Sequence, residues 1–250
     1  MSSTTDSSNA TVSEGALRIR NIALLILIVL PVSALGARFG LWPFGIGIKL
    51  LAGAVVVGLL IQVINAIWLL RKPAAATKSA LRWASLFALP CLILVAAFVR
   101  SGDDAQAGIH NISTDIDNPP QFIAAVEQRG PDSNPLEYTS EIAAIQQKSF
   151  PEVGTISTNQ TPLQAFENSL AIAESLGWKV YSQNDDQGRI EAVDTTFWFG
   201  FKDDIAIRIT ATNSGSKVDL RSVSRVGVSD LGANAKRIGT FSEAFRNNDR

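Results

Sequence analysis

The chain has 250 residues with 22 basic and 23 acidic side chains, and its formal net charge of −1 gives no general attraction to nucleic acid. It has one cysteine, Cys91, and one histidine, His110, which excludes an intrachain disulfide and any metal site built from several cysteines or several histidines. Apolar residues make up 46% of the chain, but long uncharged runs concentrate them in the first hundred positions. The first hundred residues and the remainder of the chain are therefore expected to form different kinds of structure.

Three apolar runs predict a membrane anchor over residues 18–103, after a tail, residues 1–17, whose Ser- and Thr-rich composition predicts disorder. The runs cover about 22–41, 46–70 and 83–99, and each is long enough, or nearly so, to cross a hydrocarbon core of about 30 Å. Buried helices of a soluble protein are the alternative, but three successive runs with almost no charge favour membrane helices. The first run also resembles a cleaved signal peptide, although the long polar tail and the two later runs favour an uncleaved span.

Basic residues that flank the runs predict the orientation of the anchor. One side would carry Arg18, Arg20, Arg71, Lys72, Lys78 and Arg82, and the other side Arg38, Lys49 and Arg100. The richer side is expected in the cytoplasm, so the N-terminus would lie inside and everything after Arg100 outside.

Polar residues within the runs are few. Gln62 and Asn65 share one face of the second run and predict a contact with a neighbouring helix, with a transport path as the alternative. No acidic residue lies within a run, which argues against a proton-coupled carrier.

The C-terminal part, residues 104–250, has the pattern of an α+β domain. Its first fifty residues are rich in loops, with short helices expected near 121–128 and 139–148. A capping box at Thr161-Pro162-Leu163-Gln164 predicts an amphipathic helix, and Ser229 or Asp230 is expected to cap a last helix. Between them, strands are predicted at 178–183, 189–199, 205–212 and 217–224. The predicted fold is therefore a four-stranded antiparallel sheet packed against helices.

Arginines on the last predicted hairpin are candidate ligand-binding residues. With Asn213–Ser216 as the loop, Arg208 faces Arg221, and like charges directly opposite each other are unfavourable. Either an internal carboxylate such as Glu191 or Asp194 lies between them, or an anionic ligand binds there. Arg225 and Arg237 lie near the start of the last helix, together with Asp230 and Asn234. Arginine beside free helix N–H groups is a common anion-holding arrangement, although Asp230 is also the expected cap.

An aromatic segment precedes these arginines. In an extended strand, Phe197, Phe199 and Phe201 alternate onto one face and Trp198 onto the other. They are expected either as core or as an apolar platform for a lipid or a partner chain. Asp203-Asp204 is then expected at a polar hairpin tip.

Acidic residues near His110 are candidates for catalysis or metal binding. His110 with Asp115 or Asp117 has the residue types of a general acid–base pair, and the same residues with Asp103-Asp104 could ligate a hard cation. The ordinary alternative is turn chemistry, in which Asp, Asn and Ser are common.

Four blocks carry a resemblance to a known family. They are His110-Asn111-Ile112-Ser113-Thr114-Asp115 with Pro119-Pro120, the segment 195–204 (TTFWFGFKDD), the segment 221–227 (RSVSRVG) and the segment 229–238 (SDLGANAKRI). They resemble the signature blocks of domain-of-unknown-function family DUF1499, over about 108–245. The three-span N-terminus resembles the membrane-bound bacterial members. Together with the orientation expected from the flanking basic residues, this gives a bacterial cytoplasmic (inner) membrane with the C-terminal domain in the periplasm as the expected location. The resemblance implies a domain boundary near residue 104 and no particular activity.

Three functions follow as expectations. The first is a non-enzymatic module at the cell envelope that binds an anionic or amphiphilic ligand or a partner protein through the arginines and aromatics named above. The second is an envelope enzyme, hydrolase-like, that uses His110 with a nearby aspartate or the set Asp230, Asn234 and Arg237. The third is a structural subunit of a membrane complex. The expected partners are the lipid bilayer and other membrane proteins; no cofactor is expected, since no phosphate loop, dinucleotide fingerprint or nucleic-acid motif is present.

Overall fold

The computed structural model describes residues 11–100 and 108–249. They fall into two compact units, one with the residues up to Arg100 together with Trp198–Gly200, and one with the remainder. The first unit consists of the N-terminal helices α1 (Glu14–Arg38), α2 (Phe44–Leu70) and α3 (Ala75–Arg100). All three are long and apolar enough to cross a membrane. Helix α1 begins at Glu14, so the last residues of the expected tail are helical.

Small residues and two amides hold α2 and α3 together. A Cβ placed on Gly58 would lie 2.3 Å from the sulfur of Cys91, so glycine is needed where these helices approach. Gln62 donates to the carbonyl oxygen of Ser85 at 2.9 Å, and Asn65 donates to that of Leu81 at 3.2 Å. The expected contact between neighbouring helices is thus observed, and it uses both amides.

The second unit is built on one antiparallel sheet of six strands within the described ranges. Its strands are β1 (Asn111–Ser113), β2 (Ile156–Thr158), β3 (Lys179–Asn184), β4 (Arg189–Thr195), β5 (Lys202–Thr212) and β6 (Gly215–Ser224). They lie in the order β1-β6-β5-β4-β3, and β2 also pairs with β6. The four long strands correspond to the four predicted ones, although β4 ends at Thr195 and not at Phe199, and β5 begins at Lys202 and not at Ile205. The two short strands were not predicted.

Helices cover one face of this sheet. The helices of this unit are α4 (Ala125–Gln128), α5 (Ser140–Ser149), α6 (Pro162–Ser175) and α7 (Ala233–Asn248), and the short α4 lies on the opposite face. Helix α6 starts with the predicted capping box, in which Thr161 and Gln164 bond each other's backbone N–H. The main core joins α6 and α7 to the sheet, and Trp178 stacks on Phe241 with ring centroids 5.6 Å apart. The predicted α+β class is confirmed.

The opposite face of the sheet is covered by residues 114–139, named here the strap. Phe122 and Ala125 of the strap pack on Ala206 of β5 and Val223 of β6. Both faces of the sheet are therefore buried, one under helices and one under a largely irregular segment.

The predicted register of the β5–β6 hairpin is wrong by two residues. Thr212 pairs with Gly215 around a two-residue turn, so Arg208 faces Asp219 and Arg221 faces Ala206. Because the slip is even, every side chain keeps its predicted face, and Ile207, Ile209, Val218 and Leu220 all point into the main core. The expected pair of facing arginines does not exist.

The placement of the aromatic segment also differs from the prediction. Strand β4 ends at Thr195 and β5 begins at Lys202, so Phe197, Trp198 and Phe199 lie in the hairpin connection and do not alternate along a strand. Asp203 and Asp204 are 3% and 0% exposed within β5, where a solvated tip was expected. Arginines around β5 explain this burial, as described below.

Candidate functional site

Arg208 fastens the first part of the strap to the sheet. Its Nη2 lies 2.8 Å from Asp115 Oδ2 in the strap and 2.9 Å from Asp219 Oδ2 in β6. Its Nη1 donates to the carbonyl oxygen of Asn118 at 2.8 Å. An arginine held by two carboxylates and a carbonyl has its charge already neutralised, so an external anion would have to displace Asp115.

Arg221 fastens the middle of the strap without a carboxylate. It is 2% exposed, its Nε donates to Asn111 Oδ1 at 3.0 Å, and its two Nη groups donate to the carbonyl oxygens of Pro120 and Leu136. The guanidinium carbon also lies 5.1 Å from the Phe122 ring centroid and 5.5 Å from that of Tyr138. Burial lowers the pKa of Arg221 to about 10.

Arg225 and Arg129 share one buried carboxylate at the end of the strap. Asp204 Oδ1 lies 2.7 Å from Arg225 Nη2, and its Oδ2 lies 2.5 Å from Arg129 Nη1. Arg129 also donates to the carbonyl oxygen of Asn134, and Arg225 to that of Gln128. Sequence reasoning missed Arg129, because its partner lies 75 positions away.

Glu191, expected as a partner for the arginines, instead caps the short helix α4. Its carboxylate accepts three backbone N–H groups, from Ile123 at 2.9 Å, Ala124 at 3.0 Å and Ala125 at 2.8 Å. A carboxylate at a helix N-terminus accepts hydrogen bonds from the free N–H groups there and interacts favourably with the positive end of the helix dipole. Glu191 is therefore a further fastening point between the sheet and the strap.

Arg237 forms a second polar cluster on the helix-covered face. It donates to Asp194 Oδ2 at 2.9 Å and to Asp203 Oδ2 at 2.6 Å, so both carboxylates neutralise one guanidinium. Asn234 accepts from Arg237 at 2.5 Å and donates to the carbonyl oxygen of His110 at 3.0 Å. The cluster therefore joins the start of α7 to β4, to β5 and to the residue that precedes β1, and its side chains are mostly buried.

Asp230 precedes α7 and satisfies its first N–H groups. Its carboxylate accepts from the backbone N–H of Gly232 at 2.9 Å and of Asn234 at 2.7 Å. Burial raises the pKa of Asp230 above the usual carboxyl value, against the opposing effect of these two hydrogen bonds. The helix N-terminus considered as an anion site is thus occupied by the protein's own carboxylate.

His110 and the nearby aspartates have separate partners. The His110 Nδ1 atom lies 3.2 Å from the carbonyl oxygen of Val228. Asp115 Oδ1 accepts from the backbone N–H groups of Asp117 and Asn118, as in a turn, while Oδ2 pairs with Arg208. Among the described residues no group of three or more His, Cys, Asp or Glu is placed to hold a metal ion. Asp103 and Asp104 lie outside the described residues.

The aromatic candidates stand at the tip of the β4–β5 hairpin. Thr196 N–H donates to the carbonyl oxygen of Phe201 at 2.8 Å and closes the connection. At the tip, Phe197 is 69% exposed and Trp198 is 53% exposed. Large aromatics at such exposure mark a surface that another apolar phase can cover.

A cleft beside α7 was not predicted from the sequence. It lies between α7 and residues 150–154 and has a volume of about 600 Å³. Phe150 (5% exposed), Ala235 and Ile238 form an apolar floor. Lys236, Arg246, Glu152 and Glu243 line it as well. A Cβ built on Gly239 has nothing within 4 Å, so this mid-helix glycine leaves open space in the cleft.

The signal for this cleft was present in part. A glycine in the middle of a helix costs about 1 kcal/mol of stability relative to alanine, so Gly239 indicated a position where packing or function requires the absence of a side chain. The path of residues 150–154, which forms the other wall, has no periodicity to predict it. The cleft can take an apolar body on its floor and an acidic or basic group at its charged rim.

The comparisons with known proteins place the chain in one family. A comparison with curated proteins finds no match. The profile of the family described as "Protein of unknown function (DUF1499)" matches residues 111–245, which is more than half of the chain and nearly all of the second unit. The matched range begins with β1 and ends within α7, so it contains the strap, the sheet and both polar clusters. The chain belongs to the DUF1499 family.

Proposed function

We propose that this protein is a membrane-anchored, non-enzymatic binding module that holds an amphiphilic ligand with an acidic group in the cleft beside α7. The α7 cleft carries the proposal, because it is open while the arginines first considered as ligand-binding residues hold the strap and the start of α7. Its buried apolar floor suits a hydrocarbon body, and Lys236 and Arg246 are exposed cations on the same helix. Glu152 and Glu243 balance these two positive charges. This favours a ligand that combines its acidic group with an apolar body over one that offers a negative charge alone.

The proposed location is the periplasmic side of a bacterial cytoplasmic membrane. The flanking basic residues support an N-terminus in the cytoplasm and a C-terminal domain outside. A periplasm-active reporter fused after residue 105 should be active, and an inactive fusion would contradict this orientation.

Native mass spectrometry of the full-length protein, extracted gently from its own membrane, tests the ligand. We expect a bound mass on the wild type that is lost in Gly239→Leu, because leucine fills the open space in the cleft. Gly239→Ala adds one methyl group, and Asn247→Leu places the same leucine on an exposed position of α7 outside the cleft. Both should keep the bound mass.

The outcomes are distinct. A bound mass that persists unchanged in Gly239→Leu would place the ligand elsewhere and overturn the role of the cleft. A bare, monomeric wild type would favour the catalytic alternative, with His110 as the next residue to change.

A further inference from the structure

One end of the six-stranded sheet carries two apolar loops, named here the apolar end; one of these loops includes Trp198–Gly200, which group with the first unit. The first loop is the β4–β5 tip, where Phe197 and Trp198 are 69% and 53% exposed. The second follows β6, where Val228 and Leu231 are 81% and 45% exposed. Both loops emerge at the same end, because Arg225 N–H donates to the carbonyl oxygen of Lys202 at 2.9 Å just where β6 ends and β5 begins.

The chain that comes from α3 enters the second unit at this same end. Strand β1 begins with Asn111, which pairs with Val223 near the end of β6. The carbonyl oxygen of His110 accepts from Ser224 N–H at 2.9 Å, and its ring lies 3.2 Å from the Val228 carbonyl oxygen. The residue that leads into the sheet therefore touches one of the two apolar loops.

The connection to α3 is short. Asn111 follows Arg100, the last residue of α3, by eleven positions. A fully extended chain advances at most about 3.6 Å per residue, so this connection spans at most about 40 Å. If α3 crosses a bilayer, Asn111, which lies at the apolar end, therefore stays within about 40 Å of the end of α3.

The charge distribution suits a lipid surface. Residues 196–201 carry no charge and include four aromatics. The two carboxylates that follow are buried, Asp203 against Arg237 and Asp204 against Arg225, so neither presents a negative charge to phospholipid headgroups. Lys202, which starts β5, is exposed. Aromatic side chains flanked by a basic residue are enriched where proteins meet the boundary between headgroups and acyl chains.

We propose that the apolar end contacts the lipid bilayer in which α1–α3 are embedded, with Trp198 at the boundary between headgroups and acyl chains. This contact would give the C-terminal domain a second attachment to the bilayer besides the chain connection. The four apolar side chains named above are distinct from the cleft beside α7, since none of them lines that cleft.

Spin-label accessibility in the full-length protein, reconstituted in phosphatidylcholine and phosphatidylglycerol vesicles, tests this contact. The native Cys91 is replaced by alanine, and one nitroxide is attached to Trp198→Cys or to Val228→Cys. Ser214→Cys, exposed in the β5–β6 turn at the other end of the sheet, is the control. Oxygen partitions into lipid and a nickel chelate into water, so their relaxation effects distinguish the two phases.

We expect the oxygen-to-nickel accessibility ratio at positions 198 and 228 to exceed that at position 214 severalfold. A ratio at both positions equal to that at position 214 would show that the apolar end faces water and would overturn the proposal. Exclusion of both reagents would also overturn it, because protein and not lipid would then cover this end. The Val228 variant leaves the aromatic tip intact, so the test remains decisive if the Trp198 change alters the hairpin.

Discussion

Replacement of Asp204 by alanine tests whether the buried ion cluster holds the strap on the sheet. The Asp204 side chain is 0% exposed, and its two oxygens face the side chains of Arg129 and Arg225, which are 6% and 13% exposed. Removing the carboxylate leaves two guanidinium groups close together, still bound to carbonyl oxygens of the strap but with no negative charge between them. The variant therefore creates an uncompensated buried charge rather than simply deleting a contact.

The expected loss in the free energy of unfolding is large. Removing one partner of a buried ion pair typically costs about 3–5 kcal/mol. A domain of this kind has a total stability of roughly 5–15 kcal/mol, so the variant should be close to unfolding. With a urea dependence of about 2 kcal/mol per molar, the unfolding midpoint should fall by roughly 2 M.

Pulse proteolysis in urea, applied to the full-length protein in mild detergent, measures this midpoint by the loss of an intact C-terminal tag. Asp186→Ala is the matched control, because Asp186 is exposed in the β3–β4 turn and its loss should change stability by less than about 0.5 kcal/mol. The triple change Asp204→Leu, Arg129→Met, Arg225→Met removes all three charges and should cost less than Asp204→Ala alone. Equal midpoints for Asp204→Ala and Asp186→Ala would refute the reasoning, and so would a triple variant less stable than Asp204→Ala.

The remaining predictions concern titration and one buried amide. Burial raises the pKa of Tyr138 to about 12 and raises that of Tyr181 further. Neither of the two tyrosines of the folded protein should therefore show tyrosinate absorbance as the pH passes 10. The stability that their neutral forms contribute should be lost as the pH rises from about 10 toward 12. Burial also raises the pKa of Asp230, so the stability that its protonated form contributes is complete below a pH of about 4 and is lost as the pH rises through the pKa of the folded state. Over that rise the urea midpoint of Asp230→Asn should therefore increase relative to that of the wild type. A difference between the two midpoints that stays constant with pH would contradict this. Gln146 bonds both the N–H and the C=O of Ser113 at 2.9 and 2.6 Å, so Gln146→Leu should cost about 1–3 kcal/mol for each buried group left unpaired, whereas Gln147→Leu, at an exposed neighbour, should cost little.

Local periodicity was sufficient for the long elements. The three- and four-residue spacing after Thr161 and the alternation in β5 and β6 each need only the local chain, and both are observed. The hairpin register was not determined in this way, because Asn213-Ser214-Gly215-Ser216 is compatible with a two-residue and a four-residue loop. Gly215 decides between them, since a Cβ there would lie 2.1 Å from the carbonyl oxygen of Thr158 in β2, a strand too short to predict.

The polar contacts of the candidate site depended on distant partners. Arg208 and Arg221 were singled out from the sequence as candidate ligand-binding residues, but their partners Asp115 and Pro120 in the strap lie 93 and 101 positions earlier in the chain. No local pattern contains that information. Gly200 was a local sign that the aromatic segment forms a turn, but the strand propensity of its aromatic residues was given more weight. In the structure Gly200 has φ of +69°, a conformation that glycine readily adopts in a turn.

The strap has a consequence for how the domain forms. Its residues are synthesised before β5 and β6, the strands it covers, and β1 pairs with β6, which is the last of the strands to be synthesised. Contacts between residues about a hundred positions apart form slowly, because closing so long a loop costs conformational entropy before the contact stabilises the chain. Until β5 is complete, Arg129 lacks Asp204 and Asp115 lacks Arg208. Until β6 is complete, the apolar side chains of the strap lack Val223. Closure of this second face is therefore expected late in folding, and a chain cut short before β6 should expose the strap to proteases and chaperones.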